Sequence, residues 1–173
     1  MRVYYDTEFV ERGPEHPLVL VSIGMVAEDG RELYAVSSEF DQDLVRSHPW
    51  LSEHVWAQLP LRAGPEGTTV LDTGHPHVRT RAEIARMVHG FLRATPEPQL
   101  WAWYGSYDHV LLCQLWGTVR DMPREVPFLT HDLKQEAVRL GIAKLPPQES
   151  GLHHALADAR HLMRRARWLE ERS

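Results

Sequence analysis

The run Leu18-Val19-Leu20-Val21-Ser22-Ile23-Gly24-Met25-Val26, the turn Glu28-Asp29-Gly30 and the run Arg31-Glu32-Leu33-Tyr34-Ala35-Val36-Ser37 decide the fold class. Both runs are rich in β-branched and aromatic residues, and an Asp-Gly pair between two such runs is a strong hairpin signal. Upstream, Val3 and Tyr5 alternate with Tyr4 and Asp6, the period of a strand. The chain therefore opens with a three-stranded antiparallel meander.

Beyond the meander, residues 41–79 read as irregular, with Pro49, Pro60, Pro65 and Pro76 as breakers; short helices and substrate-facing segments are expected there. Thr80-x-x-Glu83 forms a capping box, followed at helical spacing by Ile84, Ala85, Val88, Phe91 and Leu92. Residues 99–103 read as a buried strand and 106–116 as a helix. An apolar stretch at 126–129 precedes a helix over 131–140 that Gly141 stops. A last helix over 154–171 carries Ala155, Leu156, Ala159, Leu162, Met163, Ala166 and Leu169 on one stripe. A meander followed by alternating helices and strands implies an α/β fold, a mixed sheet covered by helices, in one domain over residues 1–173.

Composition narrows the function classes. With 173 residues, 43% apolar and 25% charged, the chain reads as a globular protein with a proper core. No apolar run is long enough for a bilayer, and the strand at Met1 leaves no room for a signal peptide. Cys113 is the single cysteine, so no internal disulfide forms and a cytoplasmic location fits. A net charge of −5 argues against a long footprint on duplex nucleic acid and favours short or end-bound substrates.

Three separated patches carry the chemistry: Asp6-Thr7-Glu8, Tyr107-Asp108, and His153-x-x-x-x-Asp158. On a strand, Asp6 and Glu8 point to the same face, where two carboxylates repel unless a hard cation sits between them. A strand that frays into solvent is the plainer explanation of that pair alone. Asp158 falls at the edge of the inward stripe of the last helix, a costly place for a carboxylate without a metal or an arginine partner. Asp108 lies in the first turn of a helix after a buried strand, where either a ligand or a simple cap is at home. Together the acids suit two divalent cations with a histidine base beside them, an arrangement fit for phosphodiester hydrolysis. Spacing does not choose between His153 and His154.

These motifs, in this order, resemble the DEDDh 3′→5′ exonuclease family, the histidine branch of the RNase H-like exonucleases. Asp6-Thr7-Glu8-Phe9 matches its first motif, Tyr107-Asp108 its second, and His153-His154-Ala155-Leu156-Ala157-Asp158 its third. The resemblance selects His153 as the base. Segments 5–9, 22–24, 27–32 and 101–110 look like the actinobacterial RNase AS group of adenylate-preferring 3′-exoribonucleases. That likeness implies an RNase H-like fold, a homodimer, and release of nucleoside 5′-monophosphates from the 3′ end of single-stranded RNA. It also implies two Mg²⁺ or Mn²⁺ ions per site, with Asp6 between them, Glu8 and Asp158 on one and Asp108 supporting the other. Backbone groups at Thr7 and Glu8 would hold the terminal ribose, and Phe9 would stack or wedge at a base. Tyr104 stands where many members carry Asn, and Ser22 where ribonuclease T and oligoribonuclease carry an acid, so those relatives' preferences do not transfer.

Two other classes compete: a single-stranded DNA 3′→5′ exonuclease of the same fold, and a silent module that binds RNA or a protein. Among the remaining features, His75-Pro76-His77 reads as an exposed loop rather than a zinc site. Arg79, Arg81 and Arg86 are candidates to guide an RNA backbone, whereas Arg164, Arg165 and Arg167 read as a solvated helix face. Trp101, Trp103 and Trp116 read as core or dimer-interface residues.

Overall fold

The computed structural model describes residues 1–172. The meander forms as expected from β1 (Arg2–Val10), β2 (Val19–Ala27) and β3 (Glu32–Ser37). Asp6 pairs with Gly24 and Gly24 with Tyr34, both antiparallel. Gly30 makes the β2–β3 turn possible: its φ of 89° is left-handed, and its N–H donates to the Ala27 carbonyl at 2.9 Å.

The segment after the meander is more ordered than its prolines suggest. It holds the helices α1 (Gln42–Ser47) and α2 (Pro49–His54), the small hairpin β4 (Leu61–Ala63) and β5 (Thr69–Leu71), and β6 (Val78–Arg79). Val45, Leu51, Val55, Trp56 and Leu71 from this segment are buried with Tyr34 and Val36. Then come α3 (Arg81–Arg93), β7 (Gln99–Ala102), α4 (Ser106–Gln114), β8 (Thr130–Asp132), α5 (Leu133–Arg139) and α6 (Ala155–Glu170). The capping box on α3 is present, with the Thr80 hydroxyl accepting from Glu83 N–H and Glu83 accepting from Thr80 N–H.

Six strands make one mixed sheet in the order β6-β3-β2-β1-β7-β8, with β1–β7, β7–β8 and β3–β6 parallel. Strand alternation sorts β1 between two layers. Val3 and Tyr5 pack under Ile84, Val88 and Leu92 of α3 and Leu112 of α4. Tyr4 packs on the other face with Leu133 and Ala137 of α5 and Leu162, Ala166 and Leu169 of α6. Each aliphatic side chain buried this way contributes about 1.5–3 kcal/mol.

The boundaries differ from the sequence expectation in three places. β1 runs on to Val10 and is flanked by β2 and β7, so Asp6 and Glu8 sit on a paired central strand rather than a fraying end. The expected helix at 131–140 begins only at Leu133, because Asp132 ends a short strand and caps α5, accepting from Lys134 N–H at 2.8 Å. The expected helix at 106–116 ends at Gln114, ahead of Gly117 at φ 88°.

Candidate active site

Asp6 and Glu8 project from β1 toward the α6 layer, and α6 comes close because Gly24 lies beside Asp6. A Cβ on Gly24 would stand 2.3 Å from Leu156 N and 2.4 Å from Ala155 C and O. Any other residue there would push the start of α6, and Asp158 with it, off the sheet. Asp158 sits in the first turn of α6, Asp108 in the first turn of α4, and both face the strand. The four carboxylates, Thr7, Phe9, Tyr107 and His153 line one cleft of about 690 Å³. Ligand atoms of Glu8, His153 and Asp158 lie within 4.8 Å of one another.

Asp108 and Asp158 are held by neutral donors. Asp108 Oδ1 accepts from Thr7 N at 2.8 Å and Thr7 Oγ1 at 2.6 Å. Asp158 Oδ1 accepts from Gln148 Nε2 at 2.5 Å, and its Oδ2 from His153 N at 2.9 Å. Among the described residues no arginine or lysine forms an ion pair with any of the four. The arginine-paired explanation of Asp158 does not hold.

The electrostatics follow. Burial, then Asp108, Glu8 and Asp158 in turn, hold the Asp6 carboxyl well above the ordinary carboxylate range. Burial first, then Asp158 and Asp108, pushes Glu8 up to about 8. Burial also raises Asp108 and Asp158, against the lowering effect of the donors just named. Four acids that resist joint ionisation, presenting only hard oxygen donors and one imidazole, are a donor set that fits divalent cations such as Mg²⁺ or Mn²⁺.

The two histidines separate cleanly. His154 caps α6, its ring accepting from Ala157 N–H at 3.4 Å, and stacks on Tyr34 with centroids 4.4 Å apart. His153 stays in the cleft on a left-handed backbone, φ 64°, with its ring 4.8 Å from Trp50 and 5.4 Å from His54 of α2. Tyr104, also lining the cleft, is left-handed too at φ 53°; its N–H and that of Gly105 donate to Asp132 at 3.3 Å. Strained non-glycine residues of this kind gather at functional sites.

Phe9 stacks on Tyr107 across the cleft wall, centroids 5.7 Å apart and nearly coplanar at 6°. Trp103 lines the cleft and, with Trp101, packs against the α5–α6 core; Trp116 packs against the α3 side, and Trp101 stacks on His131. Arg79 is tied to the His75 and Val78 carbonyls, and Arg81 and Arg86 are exposed on α3; none of the three lines the cleft. Arg164 and Arg167 are exposed as expected, but Arg165 is half-buried in the cleft wall. The signal for it was its place two turns after Asp158 on the same helix face. His75 and His77 pack ring to ring at 5.2 Å and belong to no metal-ligand grouping among the described residues.

A family model described as the 3'-5' exoribonuclease Rv2179c-like domain matches residues 1–169. Two curated proteins are similar to this chain: the 3'-5' exoribonuclease MT2234.1 of Mycobacterium tuberculosis strain CDC 1551 / Oshkosh and the 3'-5' exoribonuclease Rv2179c of strain ATCC 25618 / H37Rv. Each is 44% identical over 169 residues, which is 96% of this chain and 92% of the relative.

Proposed function

The chain belongs to the Rv2179c-like 3'-5' exoribonuclease domain family, and from that membership and the acidic cleft we propose that it hydrolyses RNA from the 3′ end, releasing nucleoside 5′-monophosphates. The observation that carries this reading is the convergence of Asp6, Glu8, Asp108, Asp158 and His153 in one cleft, with no arginine ion-paired to the acids among the described residues. A DEDDh assignment within an RNase H-like fold agrees with the strand order β3-β2-β1-β7-β8 and with the placement of the three motifs.

Asp6, Glu8, Asp108 and Asp158 would hold the cations, two Mg²⁺ or Mn²⁺ by resemblance. Bound there, such ions offset charge on the phosphate and on the attacking and leaving oxygens. His153 takes a proton from the attacking water, whose oxygen bonds to phosphorus as the P–O3′ bond breaks; the leaving 3′-oxygen takes a proton from solvent water, so the shortened strand ends in a 3′-hydroxyl. Thr7 anchors Asp108, and Gln148 together with the His153 N–H anchors Asp158. Backbone groups at Thr7 and Glu8 hold the terminal ribose, and the Phe9–Tyr107 stack offers an apolar face to a base.

The preference for adenylate rests on the likeness to the RNase AS group. A homodimer follows from the same likeness and is supported by exposed Tyr107 and Val110 on α4 beside exposed Phe128, whose carbonyl accepts from His109. Among the described residues no helix is long and apolar enough to cross a membrane. With an RNA substrate and one free thiol, Cys113, the cytoplasm is the natural setting.

Digestion of one short RNA with varied 3′ ends, alongside the matching DNA, tests the reading. The expected result is a one-nucleotide ladder from the RNA 3′ end, fastest at terminal adenosine, that needs Mg²⁺ and stops with EDTA. Internal cuts, equal rates on DNA, or no Mg²⁺ dependence would overturn it.

A further inference from the structure

We propose that Arg165 is a phosphate-binding residue for the RNA strand 5′ of the scissile bond, presented by α6 against Trp103 at the edge of the acidic cleft. The inference rests on the exoribonuclease reading above and extends it to the path of the substrate.

On α6, Asp158, Leu162 and Arg165 recur at i, i+4 and i+7 and face the same cleft. Arg165 is the one lysine or arginine among the residues lining it. The guanidinium lies 4.9 Å from the Trp103 ring centroid, and its Nε donates to the Pro146 carbonyl at 3.0 Å. Those two contacts fix its plane. Among the described residues it meets no carboxylate at ion-pair distance, whereas Arg160, on the same helix, is paired with Glu32 at 2.5 Å. Asp158 attracts it only from beyond ion-pair distance, and a half-buried guanidinium without a contacting counter-charge is costly unless something else supplies one. Among the described residues only its Nε–H has a protein acceptor, and the remaining fork of N–H donors matches two oxygens of a phosphate.

Charge and position point the same way. A cleft floored by four acids repels a polyanion, so a cation at its edge answers the strand's own charge. Lys134 adds a second, its Nζ 5.7 Å from the same Trp103 ring. Arg165 is seven residues, about 10 Å along the helix axis, from Asp158, so it sits beyond the carboxylates that surround the reacting phosphate. Phe9 marks the other end of the cleft, bordering a neighbouring hollow with Trp50 and His48. With the terminal nucleoside at Phe9, the Arg165 end is left for the strand leading in.

The test measures kcat and KM on oligoadenylates of two to eight nucleotides, at several salt concentrations, for the wild-type protein, Arg165→Gln and Arg165→Lys. Arg165→Gln is expected to raise KM about tenfold on the longer substrates, with a penalty on the dinucleotide at least fivefold smaller, since the dinucleotide has no upstream phosphate. The slope of log(1/KM) against log[salt] should flatten by about 0.7 for one lost phosphate contact. Arg165→Lys should keep the slope and recover part of the affinity. An equal penalty at every length, or an unchanged slope, would show that Arg165 only holds Pro146 and Trp103 in place, and would overturn the proposal. Absence of RNA turnover by the wild-type protein would instead remove the exoribonuclease reading, and this inference with it.

Discussion

Thr7 grips one oxygen of Asp108 twice, from its backbone N–H at 2.8 Å and its hydroxyl at 2.6 Å. This joins the middle of β1 to the first turn of α4 and leaves the second oxygen of Asp108 free of these donors. Charge-assisted bonds of this kind are worth about 1.5–3 kcal/mol each.

Thr7→Val keeps the shape and the backbone bond but removes the hydroxyl donor. It should raise the Mg²⁺ concentration for half-maximal activity several-fold and lower kcat about tenfold. A metal titration of the rate checks this; a curve overlying that of the wild-type protein would count against the anchoring role.

His153 occupies a left-handed backbone that costs a non-glycine residue about 1–2 kcal/mol. His153→Gly should therefore melt at or above the wild-type temperature while turnover falls at least 100-fold, the usual minimum contribution of a general base. Thermal melts and single-turnover rates read the two effects separately. Near-normal turnover at neutral pH would reject the base assignment.

The metal-free protein should lose stability as the pH rises. Burial and the neighbouring acids lift Glu8 from its ordinary 4.5 to about 8 in the folded state. Between those values the folded chain binds more protons than the unfolded one, so the slope of stability against pH is negative there. The contribution is complete below about 4.5 and gone once the pH passes about 8. Cations bound at the acids would remove the repulsion, so the rise in melting temperature on adding Mg²⁺ should grow from pH 5.5 to pH 8.5. Melts in EDTA and in Mg²⁺ across that range decide the matter, and stability climbing with pH in EDTA would contradict it.

Gly24→Ala places a methyl group inside contact distance of the Ala155 and Leu156 backbone. Over-packing of this order costs about 1–3 kcal/mol, and the displaced start of α6 carries His153 and Asp158 out of register with Glu8. Both melting temperature and kcat should fall. A variant with wild-type kcat would show that α6 can shift without moving the acids.

Much of this architecture was legible in the residues. The Asp29-Gly30 turn, the capping box at Thr80 and the stripe of α6 are local signals, and each formed within a few residues of its expected bounds. The acids were legible as three patches because strand and helix periods say which way each side chain faces. Other features depend on distant partners. The strand at Thr130–Asp132 is short and polar, and it exists because β7 offers it a parallel edge. Gly24 looks like any strand glycine until α6 lies across it. The likeness to the DEDDh family, not spacing, chose His153 over His154, and the cap and the Tyr34 stacking contact that occupy His154 depend on partners that spacing does not reveal. Arg165 reads from the sequence as one member of a solvated cluster, although its seven-residue distance from Asp158 puts it on the cleft side.

The cleft is assembled from two parts of unequal robustness. Asp6 and Glu8 stand on the central strand of a six-stranded sheet, whereas His153 and Gln148 come from residues 142–154, a stretch without helix or strand. Its ties are the Pro146 carbonyl, the Asp158 carboxylate, the packing of Ile142 and Leu145 on the α5–α6 core and the ring contacts of His153 and His154, side-chain contacts without a backbone ladder, which can give way by local opening while the sheet stays intact. Warming should thus silence the enzyme reversibly some degrees before the fold melts, leaving the strand-borne acids in place and ready to recover on cooling.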